Sequence, residues 1–309
     1  MQIELTTFYS RLGSIALIMV LGFILGKLKL IDKHTNNHLV NLLLSVFMPA
    51  SLFMAFPSTY SQATANLFFS GLLAGVIVMT ALIIISKILF NKFWFKDQLR
   101  YEAQFGLVFN NATFLGYPIV ASTFGEQGII AYCGFIVIFN IALFSYGIYL
   151  FKHKFSWRML LDTIINPNIV AVIIGMTLFL INFKLPAVLD DTISFVGNAT
   201  TPLSILCIGF MLSEAHLKHL IKKWRLIIPA AVQLIIGPVA TFFLLKSLGF
   251  PLAVISVCTL IEALPTATSL GLFATKYGGD EVEASELVTI STILSIGSLP
   301  LMLTLLLAQ

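Results

Sequence analysis

Charge is scarce in this chain. Lys and Arg together number 18 and Asp and Glu 14 among 309 residues, 10% in all, where a soluble domain carries about 25%. That shortage excludes an ordinary water-facing globule. Cysteine is nearly absent too: Cys133, Cys207 and Cys258 lie in separate apolar segments without a CxxC spacing. They read as small buried hydrophobes, which excludes a disulfide framework, a thiolate metal centre and a redox role. The five histidines, His34, His38, His153, His216 and His219, fall at span ends or in loops beside basic residues. They read as surface residues without ligand geometry. The connection from Phe151 to Ile165 is short and basic, so no soluble domain separates the halves. What is abundant is apolar sequence, 58% of residues with a mean hydropathy of +0.98, the signature of an all-α polytopic membrane protein. Glu4 precedes an apolar run too long for a signal-peptide core, so no removable leader is expected.

A spanning helix needs about 20 mostly apolar residues. On that template the chain divides into ten spans: 9–29, 37–56, 65–90, 102–124, 127–150, 166–183, 189–212, 225–247, 251–276 and 284–307. With an extracellular amino terminus, only Arg11, Lys184 and Lys246 of the 18 basic residues fall on the outer side. The positive-inside rule therefore places both termini outside a cell membrane, and the net charge of +4 reports topology rather than nucleic-acid binding.

The chain also repeats itself. An ungapped offset of 153 pairs Gly22 with Gly175, Pro49 with Pro202, and Phe124-Gly125 with Tyr277-Gly278 (175 − 22 = 202 − 49 = 277 − 124 = 153). Five spans per copy, residues 1–153 and 154–309, force the second copy to enter the membrane inverted, a plan shared by many secondary transporters.

The fourth and ninth spans, equivalent by the offset, are the interrupted ones. Gly116-Tyr117-Pro118 and Leu264-Pro265 are each expected to break the backbone ladder, because proline lacks the N–H and clashes with the preceding turn. The helices should resume at Pro118 and Pro265, leaving two N-terminal ends inside the protein with partial positive charge suited to an anion. A plain kink is the bland account of one such proline. Two at equivalent places, among Asn110, Asn111 and Thr113 in one span and Thr266, Thr268 and Ser269 in the other, point to a binding site. Amides and hydroxyls can bind a carboxylate or a cation without bringing fixed charge, although interhelical bonding at about 0.6 kcal/mol per contact also accounts for them. Asn140 in the fifth span, Ser45 in the second and Asn198 in the seventh are further polar candidates. Asn111-Ala112-Thr113 and Asn198-Ala199-Thr200 match the glycosylation pattern, but both are at membrane depth.

Glu262 is the only acid near the centre of any span, and no Lys or Arg lies at similar depth to pair with it. An intramembrane carboxylate is a functional candidate by default, here an ion-coupling site for Na+ or H+. Asp280, Glu281, Glu283 and Glu286 cluster between the last two spans and read as a solvated turn.

The run Asn111 to Gly116 with Pro118, the Asn166-Pro167-Asn168 opening of the sixth span, and Leu264-Pro265 through Lys276-Tyr277-Gly278 resemble the auxin efflux carrier family, which includes bacterial malate and malonate permeases. The resemblance implies a fold similar to that of bile acid sodium symporters, with the fourth and ninth helices crossing at their breaks. It also implies a transport domain of helices 3–5 and 8–10 moving against a scaffold of helices 1, 2, 6 and 7. By similarity, Asn111 and Pro118 fall on the helix-four motif and Pro265 on the helix-nine proline. The chain lacks the large central hydrophilic loop of the long plant carriers, so a microbial permease is the nearer comparison.

These readings converge on a secondary transporter of a small organic anion, a mono- or dicarboxylate such as malate, with no cofactor and no enzymatic activity. Its expected partners are that anion and the lipid bilayer, with a homodimer left open. The substrate-binding candidates are Ser45, Asn110, Asn111, Thr113, Gly116, Pro118, Asn140, Asn198, Pro265, Thr266 and Thr268. The competing readings are a cation antiporter with Glu262 as the ion site and a sodium-coupled symporter of a larger organic acid.

Overall fold

The computed structural model describes residues 5–56, 60–93, 95, 99–153, 165–214 and 223–307. Lys96, Lys154, Arg158, Lys218 and Lys222, counted above for orientation, lie outside the described residues, as do His216 and His219. Every described element is helical. In order they are α1 (Leu5–Lys27), α2 (Lys33–Leu42), α3 (Met48–Phe53), α4 (Gln62–Leu89), α5 (Leu99–Val108), α6 (Tyr117–Ala142), α7 (Ile148–Lys152), α8 (Pro167–Leu180), α9 (Ala187–Asn198), α10 (Thr200–Glu214), α11 (Trp224–Ser247), α12 (Leu252–Glu262), α13 (Ser269–Tyr277) and α14 (Glu281–Leu307). Three π-helical turns, Leu43–Phe47, Ala112–Gly116 and Leu143–Gly147, link α2 to α3, lead into α6, and link α6 to α7.

Five of the continuous helical runs are long and apolar enough to cross a membrane: Gln62–Leu89, Ala112–Lys152, Ala187–Glu214, Trp224–Ser247 and Glu281–Met302. Gly13–Lys27, Pro167–Leu180 and Leu252–Glu262 are shorter apolar helices. The 41-residue run would reach about 60 Å if straight, twice the hydrocarbon thickness. It is not straight, because Gly125 takes φ 62° and ψ −152° and divides it into two. Gly278, 153 residues on (278 − 125), also has positive φ, 96°, where it ends α13. Both positions need a residue without a Cβ. The same offset carries the Leu43–Phe47 turn onto 196–200, which contains Ala199, where α9 gives way to α10.

Packing groups the helices. α1 lies on α10, and α3 on α8 and α9; α4 lies on α6, and α11 on α12 and α14. The closest of these pairings is made by absence of side chain: a Cβ at Gly209 of α10 would overlap the Met19 carbonyl of α1. In lipid no hydrophobic force draws helices together, so small residues that allow backbone approach provide the contact. Cys133, Cys207 and Cys258 are free and buried, as expected of packing residues.

Candidate functional site

Both interrupted helices are broken, the second where its proline stands and the first several residues before its own. The first break falls at Phe109–Asn111, after α5 ends at Val108. The expectation of a break at Gly116-Tyr117-Pro118 is corrected: the helix has already restarted at Ala112 through a π turn, and Pro118 sits in the first turn of α6. A π turn shifts the hydrogen-bond register, which accommodates a residue with no N–H to give. The second break runs from Ala263 to Thr268, and its helix resumes at Ser269 rather than at Pro265. Proline forces Leu264 towards extended backbone and ends α12.

The two breaks are bonded to each other. Asn110 and Thr266 form an antiparallel bridge, in which Asn111 N–H donates to the Pro265 carbonyl at 2.7 Å and Ala267 N–H donates to the Phe109 carbonyl at 2.9 Å. Each break therefore satisfies backbone groups that the other leaves exposed, which makes unwound chain tolerable away from water. Side chains complete the bracing. Gln233 of α11 donates to the Leu264 carbonyl at 2.7 Å and accepts from the Thr266 hydroxyl at 3.0 Å. Thr266 N–H donates to the Ser291 hydroxyl at 3.1 Å, and the Tyr132 hydroxyl donates to the Ala112 carbonyl at 3.1 Å.

Beside this junction lies a cavity of about 210 Å³, lined by Ser45, Asn110, Asn111, Thr113, Asn140, Asn166, Asn168, Thr268 and Ser269 among its polar residues and by Leu44, Phe114, Phe139, Leu143 and Phe144 among its apolar ones. No charged side chain lines it among the described residues. Three helix N-termini end on its wall: the π turn capped by Asn111, α8 capped by Asn166, and α13. Their partial positive charges make the cavity attractive to an anion without a basic residue. The Asn111 side-chain oxygen is already committed, accepting from Phe114 N–H at 3.3 Å. That bond leaves the Asn111 amide N–H groups, the polarity a carboxylate needs, alongside the oxygen's second lone pair. Asn111 and Thr268 also line a second, smaller cavity of about 80 Å³ with Leu115, Ile208 and Leu212, so they stand between two spaces.

Asn110 faces different chemistry. Its amide nitrogen donates to a Glu262 carboxylate oxygen at 2.6 Å. Glu262 is 1% exposed, and its other carboxylate oxygen has no hydrogen-bond partner among the described residues. The Asn110 side-chain oxygen, the Thr259 hydroxyl one turn earlier on α12, and the Thr241 hydroxyl on α11 are likewise buried and unpartnered. Buried polar groups in this condition are costly.

Of the sequence candidates, Ser45, Asn110, Asn111, Thr113, Asn140 and Thr268 share the cavity. Asn140 also donates to the Ile136 carbonyl at 2.8 Å. Thr266 turns its hydroxyl to Gln233 instead, Gly116 packs against Leu264, and Pro265 borders an apolar space with Leu115 and Ile296. Pro118 is buried within α6, and Asn198 is exposed at the end of α9. Gln233 was missed, although a lone amide in an apolar span is the same signal that singled out Asn140. The acidic turn is ordered by capping: Asp280 accepts from the Val282 and Glu283 N–H groups, and its own N–H donates to buried Glu102 at 3.2 Å. No group of three metal-ligating residues occurs among the described residues.

The sequence matches the family described as membrane transport protein over residues 7–156 and 153–303. It is 25% identical over 297 residues to an uncharacterized transporter of Methanothermobacter thermautotrophicus, covering 93% of this chain and 95% of that one. An uncharacterized transporter of Methanocaldococcus jannaschii is 26% identical over 295 residues, with 91% and 94% covered. A Rhizobium meliloti protein named "Putative malonate transporter" is 30% identical over 135 residues, 43% of this chain and 41% of its own.

Proposed function

Because the chain belongs to the membrane transport protein family, the auxin efflux carrier family that its broken-helix motifs resemble, we propose that it is a secondary transporter of a small organic anion, working by elevator-type alternating access. One observation carries this reading: an uncharged cavity onto which three helix N-termini and the Asn111 amide converge, directly beside two mutually bonded helix breaks. A carboxylate meets donors there, and the substrate's apolar part meets Phe114, Phe139 and Phe144. A monocarboxylate fits with least strain. A dicarboxylate such as malate would need a proton, a co-bound cation or the helix dipoles for its second charge, since no Lys or Arg among the described residues lines the space. The Rhizobium relative's name makes malonate a natural member of the test panel.

In this reading the two asparagines divide the work, Asn111 for the anion and Asn110 for the coupling ion on Glu262. The chain spans the membrane ten times as two inverted five-helix repeats, 1–153 and 154–309, with both termini outside. The paired irregularities at Gly125 and Gly278, and at Leu43–Phe47 and Ala199, support the repeat. The preferred pairings of α1 with α10 and of α3 with α8 and α9 support a scaffold distinct from the rest.

The unpartnered Glu262 oxygen favours a second reading, a cation antiporter with no organic substrate. Proteoliposomes separate the two when mono- and dicarboxylates are offered under separately imposed Na+ and H+ gradients. Asn111→Ala should abolish uptake of the labelled acid, and Glu262→Gln should remove its dependence on the driving gradient. If no carboxylate moves under any gradient while cation flux requires Glu262, the antiporter reading replaces the first.

A further inference from the structure

Away from the cavity, an unexplained convergence occurs at the start of α2. Asp32 caps this helix, its side-chain oxygen accepting from Thr35 N–H at 2.7 Å, and so fixes the first turn. His34 and His38, four residues apart, then lie on one helix face, one above the other. Both are exposed. Their rings nonetheless turn towards each other, with the two Nε2 atoms 3.1 Å apart and the ring planes at 82°. The edge-on arrangement is not parallel stacking, and an edge-to-face ring contact alone does not require the two Nε2 atoms to meet. A hydrogen bond between two exposed imidazoles gains little over bonding to water, and it costs the rotamer freedom of both side chains.

A shared metal ion accounts for the geometry better. Imidazole nitrogens bind transition ions at about 2.0–2.1 Å. Two of them at an angle of about 90–110°, the range between octahedral and tetrahedral coordination, are then separated by about 2.9–3.4 Å. The observed 3.1 Å falls within that bite. We propose that His34 and His38 form a binding site for a borderline divalent transition-metal ion of the zinc, nickel or copper type. Imidazole selects this class over magnesium and calcium, which prefer oxygen. No third histidine, cysteine or carboxylate among the described residues completes a cluster, so water fills the remaining positions. The partial positive charge at the start of α2 opposes a bound cation; the Asp32 carboxylate at the same end offsets it. The ion would brace the first turns of a helix that continues through Leu43–Phe47, where Leu44 and Ser45 border the cavity.

The test uses the full chain in detergent, without a histidine tag, and Cu2+ as a spectroscopic probe. One equivalent should give an electron paramagnetic resonance spectrum with two imidazole nitrogens coupled to the copper. His34→Gln and His38→Gln should each reduce the coupling to one. Titration with Zn2+ should show affinity falling at least about tenfold in either variant, the lower end of what losing even an outer partner costs a metal site. Both positions are exposed, so the variants should elute as the parent does. Equal affinity and identical spectra for the parent and the double variant would overturn the proposal, as would a parent spectrum showing a single imidazole.

Discussion

With its amide nitrogen committed to Glu262 at 2.6 Å and its oxygen unpartnered, Asn110 can respond to what Glu262 holds. A proton or cation on the carboxylate changes which Asn110 atom is the better partner. In the proposed coupling that change would be felt at the cavity wall, because Asn110 also lines it. Gln233 has the opposite character, with both ends of its amide engaged in holding the second break. Gln233→Leu leaves the Leu264 carbonyl and the Thr266 hydroxyl without that partner. Interhelical bonds in membranes average about 0.6 kcal/mol, but orphaning a buried polar group costs about 1–3 kcal/mol. The larger figure applies here, because an unwound carbonyl has no helical donor to return to. The expected result is a protein that inserts and purifies normally yet transports at least about tenfold more slowly, tenfold being 1.4 kcal/mol. Wild-type transport rates in Gln233→Leu proteoliposomes would show that the bridge between the breaks holds the site unaided.

At the scale of elements, the first broken helix ends where partners exist rather than where proline stands, while the second ends just before its proline. Pro118 and Pro265 announce that two spans are irregular, and that much is legible in the sequence. The extent of each break is set by donors and acceptors far along the chain, Asn111 with Pro265, Ala267 with Phe109, and Gln233 and Ser291 with Thr266, so local sequence places the first break several residues late and the second at its proline but too short. The asparagines of the cavity are legible because amides at membrane depth are rare. Ser291 is not, since a serine hydroxyl can bond within its own helix, as this one also does to the Val288 carbonyl. The spacing of His34 and His38 is visible in the chain, but the convergence of their rings depends on side-chain rotamers. Packing glycines allow a signed prediction. Gly209→Ala forces α10 away from the Met19 carbonyl of α1 and should destabilise the protein by about 1–3 kcal/mol, the usual cost of overpacking. Gly13→Ala, also in a helix but with open space around it, should stabilise slightly through helix propensity. Thermal unfolding followed by size-exclusion chromatography should shift down for the first and not for the second. Two downward shifts would mean that backbone approach is not what glycine provides at position 209.

For the molecule as a whole, the proposed transport cycle needs one group of helices to slide past another at a surface that is polar in few places. The Ser51 hydroxyl of α3 and the Tyr117 hydroxyl of α6 are hydrogen-bonded across that surface. Beside them run the cavities of about 80 and 150 Å³, with Leu115 on one wall and Ile208 and Leu212 of α10 on the other. The larger of the two is mostly apolar, and walls around a small void bind neither side tightly, since lining atoms facing a void lose dispersion contacts. Such a surface can be broken and remade at modest cost, and a single bond such as Ser51 to Tyr117 holds register without locking it. Two cysteines introduced as Leu115→Cys and Leu212→Cys, joined by a short cleavable bifunctional maleimide, should therefore stop uptake completely, and cleavage of the linker should restore it. The native cysteines are buried, so the parent protein under the same treatment should keep its activity. Undiminished uptake by the fully cross-linked protein would mean that α10 and the half-helix carrying Leu115 stay together during transport, and access to the Asn111 site would then have to alternate by local movement within the broken helices.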